Sequence, residues 1–327
     1  MTKAVGTRSS HHAMNMLSNK RGDMFDIVVI GGGPAGLTAS LYAARAGKSV
    51  MLLEANAFGG QIATAPRVEN YPSVKEIAGA ELADKMFEQA TAHGVEFDMG
   101  TAKIQKTASG FAVTTEYGSY DCLSVVISTG VSHKKLGLDS EERLAGNGVC
   151  YCAVCDGAFY KDKPVCVVGD GNSAAQFALY LAEVCSEVHL LTMFDRLFCD
   201  NELTERIVAN DKINWVQNVT VTDILGENKV DGVVFRDNDG AITYQDTDAV
   251  FVAIGQVPHN GDFANLVQLD DKGYIVAGED CLTSCDGIFV AGDCRTKKVR
   301  QCTTAVGDGA VAGFSAAMYV DRLKNVK

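Results

Sequence analysis

The chain has 327 residues, 47% hydrophobic and 21% charged, and its 29 Lys and Arg against 41 Asp and Glu give a net charge of −12. At about 100–200 residues per domain this length and composition predict two globular domains and exclude a disordered chain. The acidic balance, with no basic run longer than two residues, speaks against a nucleic-acid ligand, and no run approaches the ~18–20 apolar residues of a membrane span.

Residues 1–23 read as a disordered leader. Positions 1–22 hold no acid, four bases (Lys3, Arg8, Lys20, Arg21) and the pair His11-His12; an expression scar, a native tail and an organelle-type transit peptide all stay open. The first ordered element is the β-branched run Asp26–Ile30, suited to a buried parallel strand. It leads into Gly31-Gly-Gly33-Pro34-Ala35-Gly36, a helix expected over Leu37–Gly47, and a second strand over Ser49–Leu53 that ends on Glu54. This is a complete dinucleotide fingerprint. Gly31 makes the tight turn, Gly33 lets backbone approach a pyrophosphate, Gly36 packs helix on strand, and Glu54, 23 positions after Gly31, accepts from ribose hydroxyls. Alternating strands broken by Gly110 and Gly118 follow near 101–128.

Next comes Cys150-Tyr-Cys152-Ala-Val-Cys155-Asp156-Gly157. The C-x-x-C spacing lets a helix N-terminus stabilise a thiolate and closes a small reducible ring, and Asp156 is placed to move protons. Half a zinc site, completed by Cys281 and Cys285, is the rival reading. Cys150 is either a third participant or a buried thiol. Cys122, Cys166 and Cys185 sit in apolar contexts and read as core, whereas Cys199, Cys294 and Cys302 stay undecided. Eleven irregularly spaced cysteines suit a reducing, cytoplasmic setting better than a secreted disulfide framework.

A second fingerprint begins 138 residues after the first: the strand Pro164–Val168, then Gly169-Asp-Gly171-Asn172-Ser173-Ala174, a helix expected over Ala175–Cys185, and the strand Glu187–Leu191. The copies align without a gap, so Thr192 stands where the first has Glu54. Neither a carboxylate for an NAD ribose nor a basic cluster for the 2′-phosphate of NADP is present, Arg196 being the one base close by. A scaffold that keeps the shape without using a nicotinamide nucleotide is the competing reading. A further meander near 213–254, a strand over Gly287–Ala291 and an Ala-rich helix over about Thr303–Lys324 complete the chain. The N-terminal end of that helix would favour an anion beside Gly292-Asp293.

Two dinucleotide units, a CxxC-Asp between them and a C-terminal Gly-Asp together strongly resemble the low-molecular-weight thioredoxin reductases of the two-dinucleotide-binding-domain flavoprotein class, over about residues 24–325. Gly59-Gly60-Gln61 and Val68-Glu-Asn70-Tyr-Pro72 look like that family's flavin loop. Ser128-Thr129-Gly130 and Ala253-Ile-Gly255 look like its two returns to the flavin domain, and Ala291-Gly292-Asp293 with Arg300-Gln301 like its C-terminal flavin motif. The resemblance implies FAD as cofactor, with Asp293 at the ribitol and phosphate region and Arg300-Gln301 near the ring. It implies Cys155 facing the flavin, Cys152 attacking the partner, and Asp156 protonating the leaving thiolate. It also implies thioredoxin or a similar small dithiol protein as partner, and a homodimer.

The expected fold is α/β, with two Rossmann-like, three-layer ββα domains, the second inserted in the first: an FAD domain over 24–131 plus 263–327, and an NAD(P)H-binding-like domain with the CxxC over 132–262. Segments 130–138 and 255–262 read as paired linkers that allow a hinge. One departure stands out. NADPH-using members carry His-Arg-Arg-x-x-x-Arg after the second fingerprint, where this chain reads Thr192-Met193-Phe194-Asp195-Arg196-Leu197-Phe198. The donor is therefore open: NADH or either nucleotide with relaxed choice, NADPH held by other residues, or reduced ferredoxin or another flavin. A flavin redox sensor or electron carrier without disulfide turnover, and an NAD(P)H:ferredoxin-type reductase, are the rival functions.

Overall fold

The structure, a computed structural model, describes residues 24–65 and 67–325, so the expected leader lies outside the described residues. The first unit opens with β1 (Phe25–Ile30), buried at every position, then α1 (Pro34–Arg45), β2 (Val50–Glu54), α2 (Gly79–Ala92) and β3 (Glu96–Met99). The meander β4 (Lys103–Lys106), β5 (Phe111–Thr114) and β6 (Ser119–Ile127) follows. Helix α1 begins three residues before the expected Leu37, because Pro34 fills its first turn, where a missing N–H costs nothing and φ is already helical.

Strand β7 (Val131–His133) leads to the second unit: α3 (Asp139–Arg143), β8 (Val149–Cys150), α4 (Ala153–Asp156), β9 (Pro164–Val168), α5 (Asn172–Val184), β10 (Glu187–Leu191), α6 (Asn201–Val208) and β11 (Ile213–Val216). Then come the antiparallel β12 (Val219–Leu225), β13 (Gly232–Asp237) and β14 (Ile242–Asp246), the parallel β15 (Ala249–Val252), and the return strand β16 (Gln256–Pro258). Strand β17 (Ile288–Val290) and helix α7 (Cys302–Asn325) finish the chain.

Each unit is three layers deep. In the first sheet, ordered β3-β2-β1-β6-β5-β4 with β17 also on β6, the nine-residue β6 serves two purposes. Its start pairs antiparallel with β5, and its end runs parallel to β1 and β17. One face carries Ile27, Val29, Leu52 and Phe289 against α1 and α7; the other carries Val28, Ile30 and Leu53 against Phe111, Val113, Phe263 and Ile275. The second sheet, β11-β10-β9-β15-β8, repeats this with α5 on one side and the meander β12-β13-β14 on the other. The linker strands β7 and β16 pair antiparallel, Ser132 opposite Val257, so the two crossings run side by side.

Helices α1 and α7 touch backbone to backbone. A Cβ on Gly309 would lie 2.3 Å from the Ala35 carbonyl oxygen, and one on Gly313 2.3 Å from that of Ala39. Cys122, Cys166 and Cys185 are buried as expected, Cys294 joins them, and Cys199 and Cys302 are half-buried.

Candidate functional site

Two glycines of the first cradle, Gly31 and Gly36, leave no room for a side chain. Gly31 has φ +104° and a Cβ there would sit 2.3 Å from the Ser128 carbonyl oxygen; at Gly36 it would sit 1.8 Å from that of Gly31. Gly33, by contrast, faces open space, its nearest neighbour being the Gly60 Cα at 3.9 Å. It precedes α1, whose N-terminus has no side-chain cap, so free N–H groups and room for a diphosphate coincide. Glu54 braces the loop: Oε2 accepts from the Gly32 N–H at 2.6 Å and Oε1 from the Asn56 N–H at 2.8 Å. The Gly59 N–H donates to the Gly32 carbonyl at 2.8 Å, which lays the turn at Gly59-Gly60 beside the cradle. Gln61 donates to the Val131 carbonyl, and Thr129 to the Asn260 side chain at 3.3 Å.

Asp293 Oδ1 is buried without a hydrogen-bond partner, and burial raises the carboxyl pKa, with Lys297 and Arg300 pulling it back. A buried carboxylate oxygen with no donor is costly, so the site fits a ligand rich in hydroxyls, as the ribitol of FAD is. The loop that carries Asp293 is clamped from below. Asp308 of α7 accepts from Arg295 at 2.8 and 2.7 Å, from Lys297 at 2.8 Å and from the Gly292 N–H at 3.1 Å. Burial alone would raise the Asp308 pKa, but these cations hold it below the ordinary value. Arg300 is turned onto loop carbonyls, those of Asp293, Lys297 and Arg295 at 3.2–3.3 Å, and lies 4.3 Å over the Tyr274 ring. The clamp of Arg295, Lys297 and Asp308 escaped the sequence reading, though two bases just after Gly-Asp and an acid inside Gly-Asp-Gly were its signal.

The redox centre faces this cradle. Cys152 and Cys155 form a disulfide, and Cys152 N-caps α4, its Sγ accepting from the Cys155 N–H at 3.2 Å. Gln301, just before α7, points Nε2 at Cys152 Sγ (3.8 Å) and Oε1 at Cys155 Sγ (3.9 Å), while Asn70 donates to that Oε1 at 3.2 Å. Expected residues from both units thus meet at one place. Arg67 adds a contact no motif signalled, its guanidinium carbon 3.8 Å from the centroid of the Phe159 ring. Burial pushes the Asp156 carboxyl up to about 6. Cys150 lies buried with its Sγ 3.9 Å from the Tyr160 hydroxyl, and burial raises its pKa well above the ordinary thiol value, which favours the buried-thiol reading. Among the described residues no three His, Cys, Asp or Glu gather for a metal, and no helix is long and apolar enough to cross a membrane.

In the second cradle Gly169 has φ +144°, Gly171 faces open space, and Ala174 is buried where the first unit has Gly36. Thr192 is turned inward: its hydroxyl donates to the Phe194 carbonyl at 2.8 Å and accepts from the Trp215 indole at 3.0 Å. Asn172 Oδ1 accepts from the Asp200 N–H at 3.0 Å, so this candidate ligand residue holds the loop after β10. Ser173 is exposed at the start of α5. Met193, Phe194 and Phe198 are exposed, and Arg196 lies 4.8 Å over the Phe198 ring.

Residues 25–309 match the family described as pyridine nucleotide-disulphide oxidoreductase. The thioredoxin reductase of Listeria monocytogenes is 40% identical over 304 residues, 92% of this chain and 95% of its own. The crystal structure of the Streptococcus pyogenes thioredoxin reductase, 40% identical, superposes with a TM-score of 0.88 over 91% of this chain and 99% of that one. The Lactococcus lactis thioredoxin reductase in its FR conformation, 36% identical over the same shares, gives only 0.63.

Proposed function

Since the chain belongs to the pyridine nucleotide-disulphide oxidoreductase family, we propose that it is an FAD-dependent thioredoxin reductase, which passes electrons from a donor to the Cys152–Cys155 disulfide and on to thioredoxin or a similar small dithiol protein. The observation that carries this is the disulfide in contact with Gln301, itself bonded by Asn70, on the segment between Asp293 and α7. When bound, FAD supplies the capacity to accept electrons singly or in pairs and hand a pair to a disulfide. Gly31, Gly33, Pro34, Ala35, Gly36 and Glu54 would hold its adenosine and diphosphate end, Gly59, Gly60, Thr129, Gly130, Gly292 and Asp293 its middle, and Gln61, Asn70, Arg300 and Gln301 would line the approach to the cysteines.

Cys155 would face the flavin. Cys152, at the N-terminus of α4, is the thiolate that attacks the partner's disulfide, with Cys155 then displacing the reduced partner. Asp156, protonated up to about pH 6, gives its proton to the departing thiolate. Gln301 lies against Cys152 Sγ at 3.8 Å and would have to part from it as a protein partner docks, so the unit 132–262 turns on the paired strands β7 and β16 relative to 24–131 plus 263–327. The fall in TM-score from 0.88 to 0.63 between two relatives of similar identity supports such an arrangement of two bodies. A homodimer and a reducing, cytoplasmic setting, suited to the nine free thiols, belong to the same proposal.

The donor is a pyridine nucleotide at Gly169, Gly171, Asn172, Ser173 and Ala174. The missing bases over Thr192–Phe198 favour reduced ferredoxin as a second reading. The test is anaerobic reduction of thioredoxin by the FAD-loaded protein with NADH, NADPH or photoreduced ferredoxin. Cys155→Ser is expected to lose thioredoxin reduction by at least about 100-fold; an undiminished rate in that variant overturns the assignment.

A further inference from the structure

The two dinucleotide units correspond residue by residue at a spacing of 138, which sets Asp170 against Gly32, Thr192 against Glu54 and Phe194 against Asn56. In the first unit the carboxylate of Glu54 comes from the end of β2 and bridges the Gly32 N–H at the loop tip and the Asn56 N–H of the following turn. In the second unit the strand end offers no acid, and Thr192 is buried and tied to Trp215. The loop tip now carries the acid. Asp170 reaches the opposite way, and its Oδ1 accepts from the Phe194 N–H at 3.1 Å, the amide that corresponds to Asn56. The gap between loop tip and turn therefore holds a carboxylate in both units, supplied from opposite sides.

We propose that Asp170 is the specificity-determining residue of the second unit, accepting from the adenosine ribose hydroxyls in place of the strand-end acid, so that the unit takes NADH and rejects NADPH. This rests on the reading of the second unit as a pyridine-nucleotide site. The chemistry of the surroundings agrees. The Asp170 carbonyl accepts from the Phe198 N–H at 2.7 Å, which folds the turn over the loop tip and fixes the carboxylate beside it. A 2′-phosphate entering there would meet the Asp170 carboxylate, the neutral Met193 and Phe194, and Asp195; Arg196 is engaged on the Phe198 ring. A ribose 2′-hydroxyl instead offers a donor to a charged acceptor. Gly171 leaves the diphosphate path open.

The experiment is calorimetric titration of the FAD-loaded protein with NAD⁺ and NADP⁺, so that binding is read without turnover. The unaltered protein is expected to bind NAD⁺ at least about tenfold tighter than NADP⁺. Asp170→Asn keeps an acceptor for the Phe194 amide, hence the turn, but removes the charge, and the ratio is expected to fall below about threefold. Asp170→Asn combined with Phe194→Arg places a base at the turn and is expected to reverse the preference toward NADP⁺. Equal affinities in the unaltered protein, an unchanged ratio in Asp170→Asn, or no binding of either nucleotide at millimolar concentration overturns the proposal. Thioredoxin reduction by photoreduced protein needs no nucleotide, so its persistence alongside any of these results leaves the disulfide-reductase reading standing, and its loss strikes that reading instead.

Discussion

Asp156 and Asp293 are both half-buried carboxylates whose proton affinity burial raises, and they differ in what relieves them. For Asp156 the native value of about 6 exceeds the ordinary 3.8, so the folded state binds the proton more tightly. Its contribution to stability is complete below the unfolded value and is lost as pH rises through about 6. The same titration governs chemistry: above about pH 6 the thiol-exchange step should slow toward tenfold per pH unit. That limb should be absent in Asp156→Asn, as a pH profile of exchange between the reduced protein and thioredoxin will show. Asp293 is different because its Oδ1 has no donor from the protein. Asp293→Ala should therefore lower FAD retention by about tenfold or more, while the thermal midpoint of the flavin-free protein does not fall, since removing an unsatisfied buried oxygen relieves a cost of about 1–3 kcal/mol. Flavin content after dialysis and paired melting curves of the flavin-free proteins check both halves.

At the scale of elements, the glycines of α7 divide into two kinds. Gly313 lies on the Ala39 backbone, and Gly313→Val would force α1 and α7 apart, an overpacking expected to cost about 1–3 kcal/mol or more. Gly307, in the same helix, has nothing within 4 Å of a Cβ, so Gly307→Ala should stabilise by about 0.5–1 kcal/mol through the unfolded chain and helix propensity. Urea denaturation of the two variants reads opposite signs from one helix. The elements themselves were legible because β-branched runs and glycine fingerprints state their own geometry: β9 and β10 fall on Pro164–Val168 and Glu187–Leu191 as expected. Helices α1 and α5 begin earlier than the Ala and Leu pattern indicates, because the last fingerprint residues already form the first helical turn. The clamp on Asp308 was hidden because its two cations and its acid lie on different elements, whose approach no local spacing encodes.

For the whole molecule, the contact of Arg67 with Phe159 is small but joins segments far apart in the chain. Arg67 over Phe159, with Gln301 on the disulfide, bridges parts of the chain that no motif joins, and such a bridge depends on how distant segments meet, which sequence periodicity does not record. A cation over an aromatic ring is worth about 0.5–2 kcal/mol, so Arg67→Ala should shift the equilibrium about 2- to 30-fold away from the docked arrangement. Faster alkylation of Cys152 in the reduced protein is the expected readout, and an unchanged rate would show that Arg67 does not hold the units together.

The backbone contact of α7 with α1 also sets a birth order. Ala35 and Gly309 are 274 residues apart, so on a ribosome adding about 5–20 residues per second the apolar face of α1 waits about 14–55 s for its cover. During that interval 132–262 is made in full, while Leu37 and Ala39, buried in the finished protein, stay uncovered by α7. The 24 residues of α7 complete the enclosure of a helix made near the start of synthesis.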